Sequence, residues 1–224
     1  MTFREIVYII LDEARLITDD ITLNEEHALF LASKVRASLL SQKYKTVNLE
    51  VPDSNYQELC VGLEEVYSPL LCGESYTVRS TIKLPTRLNI GNDVVTPLEY
   101  LKGTNFSLIP IERMRYVGYN KYLRNIIYAA IGHDGYLYLK SDNPQFRYLQ
   151  QVKVTGVFED VGAAASLGCD KECELLDNTF PIEDALVHTL VEVVVKELVG
   201  AAYRPKDEQN SANDDTASTV VPKK

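Results

Sequence analysis

Histidine is scarce, glycine is scattered and no long apolar run occurs, and each shortage removes a class of function. The three histidines, His27, His133 and His188, have no metal-binding or nucleophile-activating motif around them. His27 and His133 are expected in solvent, and His188 on an apolar helix as a core or interface residue. Gly62, Gly73, Gly91 and Gly103 stand alone, so no glycine-rich loop is available to cradle a phosphate. No serine lies in a G-x-S-x-G elbow. The adjacent acids Glu25-Glu26 and Glu64-Glu65 diverge on any regular element and read as surface charge. No apolar stretch approaches the roughly 20 residues that span a bilayer, since 191–199 is broken by Glu192, Lys196 and Glu197. Of Cys60, Cys72, Cys169 and Cys173, only the last two are close, and C-x3-C suits zinc poorly. Cys169 and Cys173 are expected as reduced thiols in a solvated acidic loop. This inventory supplies no catalytic residue, no cofactor and no metal site, so no enzyme is expected.

Acid outweighs base, with 32 Asp/Glu against 23 Lys/Arg and a formal charge of −9. The excess is uneven. Residues 1–109 carry ten Lys/Arg and fifteen Asp/Glu, residues 110–153 seven and three, and residues 154–224 six and fourteen. A belt of +4 thus lies between ends of −5 and −8. Its centre reads Arg113-Met114-Arg115-Tyr116-Val117-Gly118-Tyr119-Asn120-Lys121-Tyr122-Leu123-Arg124. Arg and Tyr are the types enriched in buried interface anchors, and a cationic belt can attract an anionic end of another copy. Arg113, Arg115, Tyr116, Tyr119, Lys121, Tyr122 and Arg124 are therefore the candidate contact residues. The same residues could neutralise phosphates and stack on bases, but the field of an acidic protein opposes tight DNA binding. A solvated face with half-buried tyrosines is the plainest alternative.

Hydrophobic periodicity predicts a helix over 2–17, with Phe3, Ile6, Val7, Ile10, Leu11 and Ala14 on one face. Thr22 and Glu25 fit a capping box for a second helix to about residue 44, burying Ala28, Leu29, Leu31, Ala32, Val35, Leu39 and Leu40. The middle then changes period. Strands are expected over 59–66, 76–84, 125–131, 136–140 and 148–158, with His133-Asp134-Gly135 turning a hairpin. Pro110 suits the start of a short helix to Tyr116. A loop with an alanine-rich turn spans 159–181. A helix over 181–203 is apolar on most sides and should be buried, with Gly200-Ala201-Ala202 admitting another backbone. The polar stretch after Arg204-Pro205 is expected to be disordered when isolated. The fold class is α+β: a helical bundle from 1–48 and 181–203, an inserted antiparallel β-rich domain over 49–180, and a tail over 204–224.

Four strings carry a resemblance: Met1-Thr2-Phe3-Arg4-Glu5-Ile6-Val7-Tyr8-Ile9-Ile10-Leu11-Asp12-Glu13, Met114-Arg115-Tyr116-Val117-Gly118-Tyr119-Asn120-Lys121-Tyr122, Asn143-Pro144-Gln145-Phe146, and Leu198-Val199-Gly200-Ala201-Ala202-Tyr203-Arg204-Pro205-Lys206-Asp207. Together they resemble a structural protein of crAss-like bacteriophages, short-tailed phages of gut Bacteroidales. The chain is similar to their head–tail connectors, tail adaptor rings that sit below the portal. The resemblance implies a homo-oligomeric ring, usually twelvefold, and no catalytic residues. It also implies a C-terminal segment docking on the portal, here Tyr203, Arg204, Pro205 and Lys206, and a β domain facing other tail, neck-ring or fibre proteins. Twelve copies at −9 would total roughly −100 before pairing, a wall along which DNA slides without sticking. A closed ring needs two different patches meeting around the circle, which the charge map supplies. The acid at Glu5 and the immediate amphipathic helix are unlike a signal peptide, so synthesis in the host bacterial cytoplasm, residence in the virion neck or tail, and no membrane partner are expected. Alternatives are a ring lower in the tail, or a DNA-binding packaging accessory protein.

Overall fold

The computed structural model describes residues 1–17, 24–46, 49–66, 77–90, 93–97, 105–117, 120–143, 146, 148–169 and 174–202. Its first helix, α1 (Phe3–Ile17), buries the six apolar residues of its expected face. The helix starts where it does because Thr2 and Glu5 form a reciprocal cap. Thr2 Oγ1 accepts from the Glu5 amide at 3.2 Å, and Glu5 Oε2 accepts from the Thr2 amide at 2.8 Å. That is a capping box, twenty residues before the one expected at Thr22. The second helix, α2 (Glu25–Thr46), begins later than a Thr22 cap would require. Asn24 Oδ1 accepts from the Glu26 amide at 2.9 Å, and Thr22 lies outside the described residues. Ala28, Ala32, Val35 and Leu40 are buried, whereas Leu29, Leu31 and Leu39 are only partly so.

Past a short helix, α3 (Val161–Ser166), the chain ends its described part in α4 (Asp184–Ala202). Leu190, Val191, Val194, Val195 and Leu198 of α4 join Phe3, Ile6, Ile10, Ala28 and Ala32 in one core. The rings of Phe3 and Phe180 meet edge to face, 5.1 Å apart, the geometry that aromatic quadrupoles favour. One expectation fails on α4. One side faces water, with Glu192 and Lys196 paired at 2.7 Å and His188 exposed, because the Val-rich stripe needs only one face for its contacts. Among the described residues, nothing lies within 4 Å of where a Gly200 Cβ would stand.

The middle of the chain forms a seven-stranded sheet. Its strands are β1 (Gln57–Val66), β2 (Thr77–Ser80), β3 (Val94–Pro97), β4 (Asn105–Leu108), β5 (Ile126–Ile131), β6 (Leu137–Lys140) and β7 (Gln151–Gly156). The spatial order is β3-β7-β1-β2-β6-β5-β4. The edge strands β3 and β4 contact each other, so the sheet curls nearly closed and hides its edges. The hairpin β5–β6 turns at Gly135, whose φ is +83°, a region open to glycine without strain. The sheet is mixed, which corrects the antiparallel expectation: β4 and β5 run parallel, Asn105 opposite Ile126 and Leu108 opposite Ala129. Strands β3 and β4, at four residues each, went unread because so short a run carries no usable period. The strand expected over 76–84 stops at Ser80, where its hydroxyl turns to bond the Ile82 carbonyl at 2.7 Å.

Helices and sheet meet along a polar seam. Ala28, Ala32, Arg36, Leu40 and Tyr44 form one buried i, i+4 row on α2, and Arg36 is its only cation. The Arg36 guanidinium donates to the carbonyls of Pro181, of Phe158 at 2.9 Å and of Asn55 at 2.9 Å. Burial pushes its pKa down to about 9, which leaves it charged at neutral pH. Around it, Lys34 pairs with Glu159 at 2.8 Å and Lys43 with Glu183 at 2.6 Å. The short α3 sits between the two cores, with Val161 in the helical one and Ala164 in that of the sheet.

Candidate functional site

Two adjacent parallel strands cannot be joined by a tight turn, so the chain leaving β4 must travel back before entering β5. Residues 109–125 are that return path, and they contain the basic tyrosine run. The path is built from two 3-10 turns, Ile111–Tyr116 and Lys121–Leu123. Three residues per turn aligns Ile111, Met114 and Val117 along one edge. Met114 is fully buried against Tyr128, Ala130 and Tyr138 on the outer face of β5 and β6, with Ile109, Ile111, Val117, Ile126 and Tyr136 packed around it. The opposite face of these strands, Ile127, Ala129, Leu137 and Leu139, points into the sheet core. Lys140, only 1% exposed, donates from Nζ to the Met114 carbonyl at 3.2 Å. The belt is therefore pinned from beneath by an apolar plug and a buried ammonium.

The charged side chains and two of the tyrosines along the belt face outward. Tyr116 and Tyr122 are each 81% exposed, and Arg113, Arg115, Lys121 and Arg124 are exposed beside them. That geometry excludes the reading in which the tyrosines are half-buried in the core, at least for these two. The ammonium of Lys121 lies 4.9 Å from the centroid of the Tyr122 ring. Asn120 Oδ1 accepts from the Tyr122 amide at 3.0 Å and fixes the second turn. Among the described residues, Arg113 and Arg124 have no carboxylate partner. One shallow groove beside Tyr116 is floored by Ile111 and bounded by His133 and Asp134, and another runs past Tyr122 and Tyr128. Glu112 stands 3.5 Å from the exposed His133. The structure thus brings Arg113, Arg115, Tyr116, Lys121, Tyr122 and Arg124 onto one surface segment. Tyr119 lies outside the described residues, as do the docking candidates Tyr203, Arg204, Pro205 and Lys206.

Sequence reasoning missed the anchors, Met114 and Lys140. A signal for Met114 was present, since Ile111, Met114 and Val117 repeat every three residues inside a charged run, whereas Lys140 is brought in only by the sheet. The cysteine expectation is corrected too. Cys169 is bonded to Cys60 across 109 residues of sequence, with Cα atoms 4.8 Å apart. The loop after α3 folds back on β1, where the Cys60 amide donates to the Leu167 carbonyl at 2.9 Å, and this contact carries the two thiols together. Cys173 and Cys72 fall outside the described residues.

Chemically, the belt offers cations, aromatic faces and apolar shoulders for another macromolecule. Among the described residues no cluster of His, Cys, Asp or Glu could hold a metal ion, and no helix is long and apolar enough to cross a membrane. Exposed tyrosine and arginine side chains are the types enriched among interface anchors. Comparison with known proteins agrees. A family model described as phage tail ring protein 2 matches residues 5–216. Ring protein 2 of Bacteroides phage crAss001 is 48% identical over 223 residues, covering 96% of this chain and 98% of that protein. The chain therefore belongs to the phage tail ring protein 2 family of crAss-like phages, whose members are structural ring proteins of the virion.

Proposed function

We propose that this chain is a non-enzymatic head–tail connector, a ring that joins the portal to the tail and lines the channel through which DNA leaves. The single observation that carries the reading is the belt: two tyrosines each 81% exposed, among exposed cations, in a chain from a ring-forming family. In a ring these exposed aromatics become interface anchors. Copies meet head to tail around the circle, twelve in number if they follow the portal. The belt residues Arg113, Arg115, Tyr116, Tyr119, Lys121, Tyr122 and Arg124 form one side of that contact.

The division of labour follows the chain. Residues 1–48 and 181–203 act as a helical unit, 49–180 as a β unit facing lower tail or fibre proteins, and 204–224 as the portal-docking tail. Tyr203, Arg204, Pro205 and Lys206 open that docking element. The acidic balance of the chain, −9 per copy, suits a channel that repels the genome and lets it pass. Quantitative peptide mass spectrometry of purified particles tests the reading. One copy per portal subunit is expected, and absence from the particle would overturn it. A chain truncated after Tyr203 should stay folded yet fail to join portal rings.

A further inference from the structure

A ring closed by rotation needs a second patch, different from the belt and complementary to it. The molecule carries one candidate of suitable shape and sign. Where the end of α2, the segment leading into β1, the turn at Asn89-Ile90 and strands β3 and β7 converge, a groove of about 970 Å³ opens. Its apolar wall is Leu49, Ile90 and Val94, of which Leu49 is 50% and Val94 48% exposed. Its rim carries the carboxylates of Glu50, Asp53 and Glu58, and among the described residues no Lys or Arg lines it. Among the described residues, of these three only Glu58 has a cation, Lys153 at 2.8 Å.

We propose that this groove receives the belt of the neighbouring copy, Tyr116 and Tyr122 filling its apolar part while the belt cations meet Glu50 and Asp53. The occupant is set by complementarity: the belt presents exposed tyrosines and cations, and the groove is concave, half-exposed in its apolar wall and acidic. Such a contact removes exposed apolar surface from water on both partners, and the charges fix register and orientation. It accounts for the exposure of both the belt tyrosines and the groove wall among the described residues. A contact between two unlike patches also propagates around a circle, as a self-complementary patch does not. This inference rests on the reading of the belt as a subunit interface and adds the identity of the surface it meets.

Zero-length carbodiimide cross-linking of purified phage particles tests it, because that reagent joins an ammonium to a carboxylate only when they touch. Lys121, the lysine of the belt run, should couple to Glu50 or Asp53, alongside the intrachain Lys153–Glu58 coupling that serves as control. The Lys121 product should be lost when the isolated chain is treated at high dilution. Its persistence there would mark it as intrachain and overturn the proposal. Coupling of Lys121 to a different virion protein would also overturn it, while leaving the belt an assembly interface. Full accessibility of Lys121 to amine reagents in the particle would overturn both this pairing and the reading beneath it.

Discussion

Arg36 and the arginines of the belt are the same side chain used in opposite ways. Arg36 lies under the helices with three of its donors on backbone carbonyls from three distant parts of the chain. Arg113 and Arg124 stand in water with no carboxylate partner among the described residues. The first holds one copy together; the second group is what the proposed reading gives to a neighbouring copy. A charge count along the sequence weights them equally. What separates them is periodicity: Arg36 falls on the buried i, i+4 row of α2, whereas the belt arginines alternate with the Ile111, Met114 and Val117 edge that plugs the sheet.

This contrast can be broken at either end. The largest effect is expected at the seam. Arg36→Met removes the donors and leaves the carbonyls of Asn55, Phe158 and Pro181 buried and unsatisfied, for a loss of about 3 kcal/mol or more, read as a shift in the urea midpoint at constant slope. Met114→Ala should cost about 2–5 kcal/mol and loosen the belt from β5 and β6. It is the one change expected to lower both stability and assembly. Cys169→Ser should lower stability by about 2–4 kcal/mol under oxidising conditions, with the difference from the parent vanishing once both are measured in reductant. The paired change Tyr116→Ala/Tyr122→Ala should leave the isolated chain within about 0.5 kcal/mol of the parent while abolishing its incorporation into particles. The smallest effect belongs to DNA. Arg113→Ala/Arg115→Ala/Lys121→Ala should not change a DNA affinity that is negligible at physiological salt, and a steep, salt-dependent loss would instead favour the packaging-accessory reading.

Much of the fold is legible where the apolar period is long. The faces of α1 and α2 and the Asp-Gly hairpin need only helical spacing and turn chemistry. The elements that escape are those whose cause is not local. Strand β4 exists because β5 accepts it in parallel, and the Cys60–Cys169 bond exists because α3 returns the chain to β1. The capping box was legible but was placed at Thr22 when Thr2-Phe3-Arg4-Glu5 spells it equally well. At the site, the charge map and tyrosines located the belt, since exposed cations and aromatics are a compositional signal. Its anchors, Met114 and Lys140, and its complement around Leu49 and Val94 depend on tertiary packing that composition does not record.

The central claim is that the belt is covered by a neighbour in the virion, and tyrosine footprinting of intact particles addresses it most directly. Tyr116 and Tyr122, each 81% exposed in the single chain, should react readily in the isolated protein and be protected in the particle. Equal reactivity in both states would contradict the account.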